Sequence, residues 1–111
     1  MPIKFFTKIL SNPMVGAAVR MAFPAATPWL KALTFFQKIK EATGAGTFQG
    51  AALQFFTNPK FKEWADDYEK NFKTSKDNFI NAARFLDQQK GFAGTLGQLL
   101  KDTLNLPKVT N

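Results

Sequence analysis

Apolar positions along this chain recur at helical spacing, and nowhere do they alternate as a half-buried strand requires. At about 100° per residue, Ile3, Phe5, Phe6, Ile9 and Leu10 fall on one arc, with Lys4, Thr7 and Lys8 on the other. A segment as short as residues 3–10 is not helical alone in water, so it is expected to fold against a surface. Residues 13–23 are apolar on every side except at Arg20. Residues 28–42 carry a wide apolar face of Trp29, Ala32, Leu33, Phe35, Phe36 and Ile39, opposite Lys31, Thr34, Lys38 and Glu41. Beyond them the faces narrow. Phe61, Trp64, Ala65, Tyr68 and Phe72 form one stripe in residues 59–73. Phe79, Ala82, Ala83 and Leu86 form the next in residues 75–90, and Leu96, Leu99, Leu100 and Leu104 the last in residues 95–104. The pattern predicts an all-α fold of about five to six short helices.

Punctuation agrees with the periodicity. Asn12-Pro13, Thr27-Pro28 and Asn58-Pro59 each place a good N-cap before a proline, which lacks the N–H that a first helical turn would leave unsatisfied. Ser11 and Ser75 also sit where an N-cap belongs. Gly44 and Gly91 follow periodic segments and read as left-handed C-caps. Gly44-Ala45-Gly46 reads as a hinge, dividing a basic amphipathic segment over residues 1–43 from a small helical domain over 47–106. From Leu106-Pro107 the tail reads as extended.

Charge sharpens that division. The chain carries +7 overall, but residues 1–40 hold Lys4, Lys8, Arg20, Lys31, Lys38 and Lys40 with no acidic residue. The rest is nearly neutral. Such asymmetry points to an anionic partner for the basic third. Composition points the same way: 13 Phe stand against 1 Tyr and 2 Trp, a choice that suits dry packing or acyl chains.

Catalysis has little to work with. The chain has no His and no Cys, which removes the commonest general base, the commonest metal ligand and any thiolate site. Glu63, Asp66 and Asp67 share a helix face with Lys62 and Lys70, which reads as a solvated charged surface and not as a metal site. No base stands beside either serine. Neither Gly44-Ala45-Gly46 nor the Gly91, Gly94, Gly97 series has the Lys-Ser/Thr or the preceding strand of a phosphate loop. The expectation is a non-enzyme with no catalytic residue, no cofactor and no metal.

The window from Pro13 to Leu30 is the best approach to a membrane span, but Arg20 and the prolines at 24 and 28 interrupt it, and a span needs about 20 apolar residues. Interfacial attachment fits better. It would place Phe5, Phe6, Ile9, Leu10, Trp29, Leu33 and Phe36 in acyl chains or a partner's groove, and Lys4, Lys8, Arg20, Lys31 and Lys38 at anionic headgroups. Nucleic acid is disfavoured, because the lysines and the aromatics of the basic third lie on opposite faces and that segment holds only one Arg, Arg20. So much apolar surface over residues 1–42 is expected to need outside cover, without which the chain would aggregate in water.

Residues 3–41, with a short basic amphipathic helix, an Asn12-Pro13-led Ala/Val helix, and an aromatic, lysine-bearing stretch from Trp29 to Lys40, resemble the opening of the g subunit of mitochondrial ATP synthase. That family's C-terminal membrane helix has no counterpart in the remainder. The resemblance implies an accessory subunit at the inner mitochondrial membrane. Together these readings give a non-catalytic structural subunit of a larger membrane-bound assembly, partnered by other subunits and anionic lipids. The alternative is a phage or virion internal protein that binds membrane or nucleic acid during delivery.

Overall fold

The structure, a computed structural model, describes residues 11–104, and these are all-helical. Six α-helices follow one another: α1 Pro13–Ala22, α2 Trp29–Thr43, α3 Phe48–Thr57, α4 Lys62–Phe72, α5 Lys76–Gln88 and α6 Phe92–Leu104, with a 3-10 turn Pro59–Phe61 leading into α4. Asn12 and Asn58 act as expected, each side chain accepting from the backbone N–H two residues on, and Ser75 caps α5. Thr27-Pro28 works differently. Thr27 closes a tight turn by donating its N–H to the Pro24 carbonyl, and Pro28 itself is the N-cap of α2 with no side-chain bond. Gly44 ends α2 in the left-handed region at φ 72°. Gly91 is also left-handed, at φ 74°, but it serves the start of α6, its carbonyl accepting from Thr95. The helix α3 went unread in the sequence, although Phe48, Ala51, Ala52 and Phe55 stand at i, i+3, i+4 and i+7 and Thr47 is a good N-cap.

Helix α5 is the axis of the fold. It packs most extensively on α1 and next on α3. Both run antiparallel to it: Asn12 Nδ2 donates to Gln89 Oε1 at 3.2 Å at one end, while Phe23 and Phe55 meet Phe79 at the other. The buried faces of α1 and α5 are rich in alanine, at Ala18, Ala22, Ala82 and Ala83, and small side chains let helix axes approach closely. Helices α2 and α3 form an antiparallel hairpin, with Lys40 over the Phe48 ring near the turn and Phe35 against Phe55 at the far end. Helix α6 closes the open side against α2 and α5.

This arrangement corrects two expectations. Val15, Ala18, Val19 and Ala22 of α1 and Ala32, Leu33, Phe36 and Ile39 of α2 are all buried within the chain's own core. One hydrophobic cluster runs from Val15 to Leu100, so Gly44-Ala45-Gly46 joins helices of a single core and does not mark a domain boundary. The premise for aggregation, uncovered apolar faces over residues 13–42, is thereby removed for α1 and α2. Residues 1–10 lie outside the described residues. Helix α1 also stops at Ala22, so residues 13–30 are two helices separated by a turn. Among the described residues no helix is long and apolar enough to cross a membrane.

Helix ends are satisfied from far along the chain. Asp87, on the last turn of α5, accepts from Phe48 N–H through Oδ1 and from Gln49 N–H through Oδ2, each at 2.8 Å. Thr47 Oγ1 accepts from Gly50 and the Thr47 carbonyl from Ala51, so every free donor of the first turn of α3 has a partner. At the other pole, the Tyr68 hydroxyl of α4 donates to the carbonyl of Ala22, the last residue of α1.

Two outcomes follow. Replacing Asp87 with Ala leaves two first-turn donors of α3 without their acceptor and removes a favourable charge at a helix N-terminus, a loss of about 1–2 kcal/mol. Chemical denaturation should show a lower midpoint for Asp87→Ala, with Asp87→Asn between it and the native chain. The second outcome concerns pH. Burial pushes the Tyr68 hydroxyl well above its ordinary range. An unfolded tyrosine loses its proton near about pH 10 while the folded one keeps it, so above that pH the unfolded chain holds fewer protons. This contribution is complete below about pH 10 and is lost as pH rises towards the folded value. The native chain should therefore unfold in alkali with a rise in tyrosinate absorbance, which reports Tyr68 alone because the chain has 1 Tyr. Tyr68→Phe should be less stable at neutral pH by about 1 kcal/mol, having lost the bond to Ala22, and should fall less steeply in alkali.

Candidate functional site

The outer side of α2 carries the feature most open to a ligand. Pro28, Leu30, Lys31, Thr34, Phe35 and Lys38 line an open groove of about 460 Å³. At about 100° per residue, positions 28, 31, 34, 35 and 38 fall within an arc of about 120°. That arc lies opposite Ala32, Leu33, Phe36 and Ile39, which face the core. Helix α2 is thus apolar inward and mixed outward, with a lysine on each side of an apolar floor.

Phe35 forms that floor. It is half-buried, and its ring meets Phe23, Phe55, Trp64, Tyr68, Phe72 and Phe79 at centroid separations of 5.3–6.2 Å. A ring held on so many sides is rigid, and its exposed edge offers a preformed apolar contact. Lys31 and Lys38 stand exposed at the rim, one on either side of Thr34 and each about one helical turn from it. The Lys31 ammonium lies 5.9 Å from the Phe72 ring centroid, at the end of α4. Among the described residues neither lysine has a carboxylate within ion-pair distance; the pair that does form is Lys62–Asp66 on α4, exposed and therefore screened by solvent. Glu41, the carboxylate of α2, lies beyond Lys38 and accepts from Gln37 Nε2 at 3.0 Å.

The turn that leads into α2 is set by contact between α1 and α2. Trp29, the first residue of α2, lays its indole over Gly16 of α1, where a Cβ would come within 2.9 Å of Cη2. The Arg20 guanidinium, one turn further along α1, sits 6.0 Å from the Trp29 ring centroid. Trp29 is therefore held between a glycine gap and a cation, and this fixes where the turn Pro24–Pro28 delivers the chain.

The residues singled out from sequence separate into three groups. Lys31 and Lys38 come together on the groove, whereas Arg20 and Trp29 meet each other at the α1–α2 contact and are not among its lining residues. Leu33 and Phe36 are core residues, each 1% exposed, and Phe36 stacks on Phe79 at 4.6 Å. The expectation that these two would reach acyl chains or a partner is corrected: both are buried in the chain's own core, Phe36 against Phe48 of α3 and Phe79 of α5. Lys4, Phe5, Phe6, Lys8, Ile9 and Leu10 lie outside the described residues. Sequence reasoning passed over Leu30, Thr34 and Phe35 as lining residues, though the angular position of Phe35 at the border between the two faces was there to be found. Glu63, Asp66 and Asp67 are all exposed, and among the described residues no group of three potential ligand side chains is placed to hold a metal ion.

Gly16→Ala tests the geometry of the Trp29 contact. The added methyl should push the indole towards solvent. In a Trp64→Phe background, where Trp29 is the remaining indole, emission should shift to the red and collisional quenching should increase. The helix-propensity gain of about 1 kcal/mol expected for such a change should not be realised in full. Unaltered emission would show that the indole does not pack on Gly16.

Comparison with known proteins leaves the chain without an assigned family, since no family model, no curated protein and no solved structure matches it.

Proposed function

We propose that this chain is a non-catalytic attachment subunit, an accessory component of a larger membrane-bound assembly, held to an anionic membrane surface by its basic N-terminal third. The observation that carries this reading is the outer face of α2, where Lys31 and Lys38 border an apolar groove without carboxylate partners among the described residues. A surface that joins cations to exposed apolar edges suits the headgroup region of a bilayer, where ammonium groups meet phosphates and apolar edges meet the first methylenes. The acid-free run of residues 1–40 extends that character towards the N-terminus. The resemblance of residues 3–41 to the g subunit of ATP synthase supports placing the assembly in the inner mitochondrial membrane. The chain's role there is structural: it bridges neighbouring subunits and lipid and carries out no reaction.

Co-sedimentation of the full chain tests this. Binding is expected to phosphatidylcholine vesicles that contain phosphatidylglycerol, with little to phosphatidylcholine alone. It should weaken, but not vanish, as salt is raised, because apolar contacts are not screened. Phe5→Ser with Phe6→Ser should reduce it strongly, each change removing about 2–3 kcal/mol of apolar transfer. Should the chain ignore vesicles and instead bind DNA or RNA with a steep salt dependence, the nucleic-acid reading replaces this one.

A further inference from the structure

We infer that the α2 groove is a site for a single anionic phospholipid, with its phosphate between Lys31 and Lys38 and one acyl chain along Leu30 and Phe35. This inference rests on the membrane-attachment reading and narrows it from a charged face to a defined pocket.

Charge complementarity selects the occupant. Lys31 and Lys38 are seven residues apart on α2, a separation of about 10 Å along the axis, and their long side chains can converge on a group seated above Thr34. Thr34 lies on the same face and presents a hydroxyl that can donate to a phosphate oxygen. Neither ammonium is engaged by a carboxylate among the described residues, and Glu41 is bonded to Gln37. A phosphate placed between them would thus meet two uncompensated cations and one neutral donor.

The apolar floor of the groove selects an amphiphile over a free anion. Leu30 and Phe35 are half-buried, and Pro28 adds an apolar wall without a backbone N–H. At about 460 Å³ the groove falls within the volume range of small-molecule sites, and Phe35 is held by the aromatic core, so the acyl contact needs no rearrangement. A free inorganic phosphate would leave this floor unused, and a neutral lipid would leave the lysines unpaired.

The test uses the full chain and two probes: dihexanoyl phosphatidylglycerol below its micelle threshold, followed by amide chemical shifts, and phosphatidylcholine vesicles with and without phosphatidylglycerol. Saturable shifts are expected at the amides of residues 29–38. Lys31→Gln with Lys38→Gln, both on exposed positions, should weaken binding to each probe by about thirtyfold, whereas Lys76→Gln with Lys90→Gln, which changes charge equally elsewhere, should weaken it only slightly. Circular dichroism should be the same for all. If both double variants lose vesicle binding equally, attachment stands and the groove is overturned as its site. If inorganic phosphate shifts the same amides with equal affinity, a free-anion site replaces the lipid site. Short-chain lipid binding at residues 28–38 without vesicle binding supports the groove and overturns membrane attachment. With no response to either probe, both proposals fall.

Discussion

Everything else in this fold hangs on the packing of Phe79. Its ring, at the first turns of α5, touches Phe23 after α1, Phe35 and Phe36 of α2, Phe55 and Phe56 of α3 and Tyr68 of α4. Four other segments are thereby gathered on one side chain of α5. Most of these pairs are edge-to-face, the arrangement that the quadrupoles of aromatic rings prefer, and Phe36 alone stacks flat at 19°. Phenylalanine suits such a cluster because it brings area without a polar atom that would need a partner in the dry interior. Tyr68 is the exception that supports this rule, since its hydroxyl finds the Ala22 carbonyl.

The aromatic cluster sets the helices side by side, and capping then sets their ends. A helix of the length of α1 or α3 is marginal alone, because its unsatisfied terminal groups are a large share of its backbone. Here two of those ends are closed by residues distant in sequence: Asp87 at the start of α3 and Tyr68 at the end of α1. Each bond ties a local helix to the global arrangement, so α1 and α3 are stable where α4 and α5 hold them. Local structure and tertiary structure form together in such a fold.

The groove on α2 is a consequence of the same packing. Phe35 sits at the border of the buried face, and the core grips its ring tightly enough that the remaining edge is presented at the surface. Lysines at positions 31 and 38 then have an apolar floor between them, not a bare helix backbone. The Gly16–Trp29 contact fixes the approach of the turn that ends at Pro28. Core and candidate site share residues, which places the binding surface on a rigid region of the molecule.

Much of the helical architecture was legible in the sequence. Apolar spacing located α1, α2, α4, α5 and α6, because a helix exposes its period wherever one side is buried. Asn12, Asn58 and Ser75 marked starts, because a short polar side chain before a helix can reach its first free N–H. The excess of bases before Glu41 was equally plain. Other features belonged to the tertiary structure. Whether the apolar faces of α1 and α2 met a bilayer or the chain itself could not be read from their periodicity, since both surroundings reward the same pattern. The covering came from α3 and α5, and α3 was not among the elements read from the sequence, although its apolar positions keep helical spacing. Lys73, left-handed at φ 52° without being glycine, ends α4 and donates its N–H to the Glu69 carbonyl, a C-cap that no glycine marked in the sequence. Asp87 looked like one more surface carboxylate until the antiparallel arrangement of α3 and α5 brought it to a helix start. Periodicity follows from the local geometry of one helix, so residues within a few turns reveal it. The partner of each face is chosen among contacts between distant segments, and only the assembled core decides that.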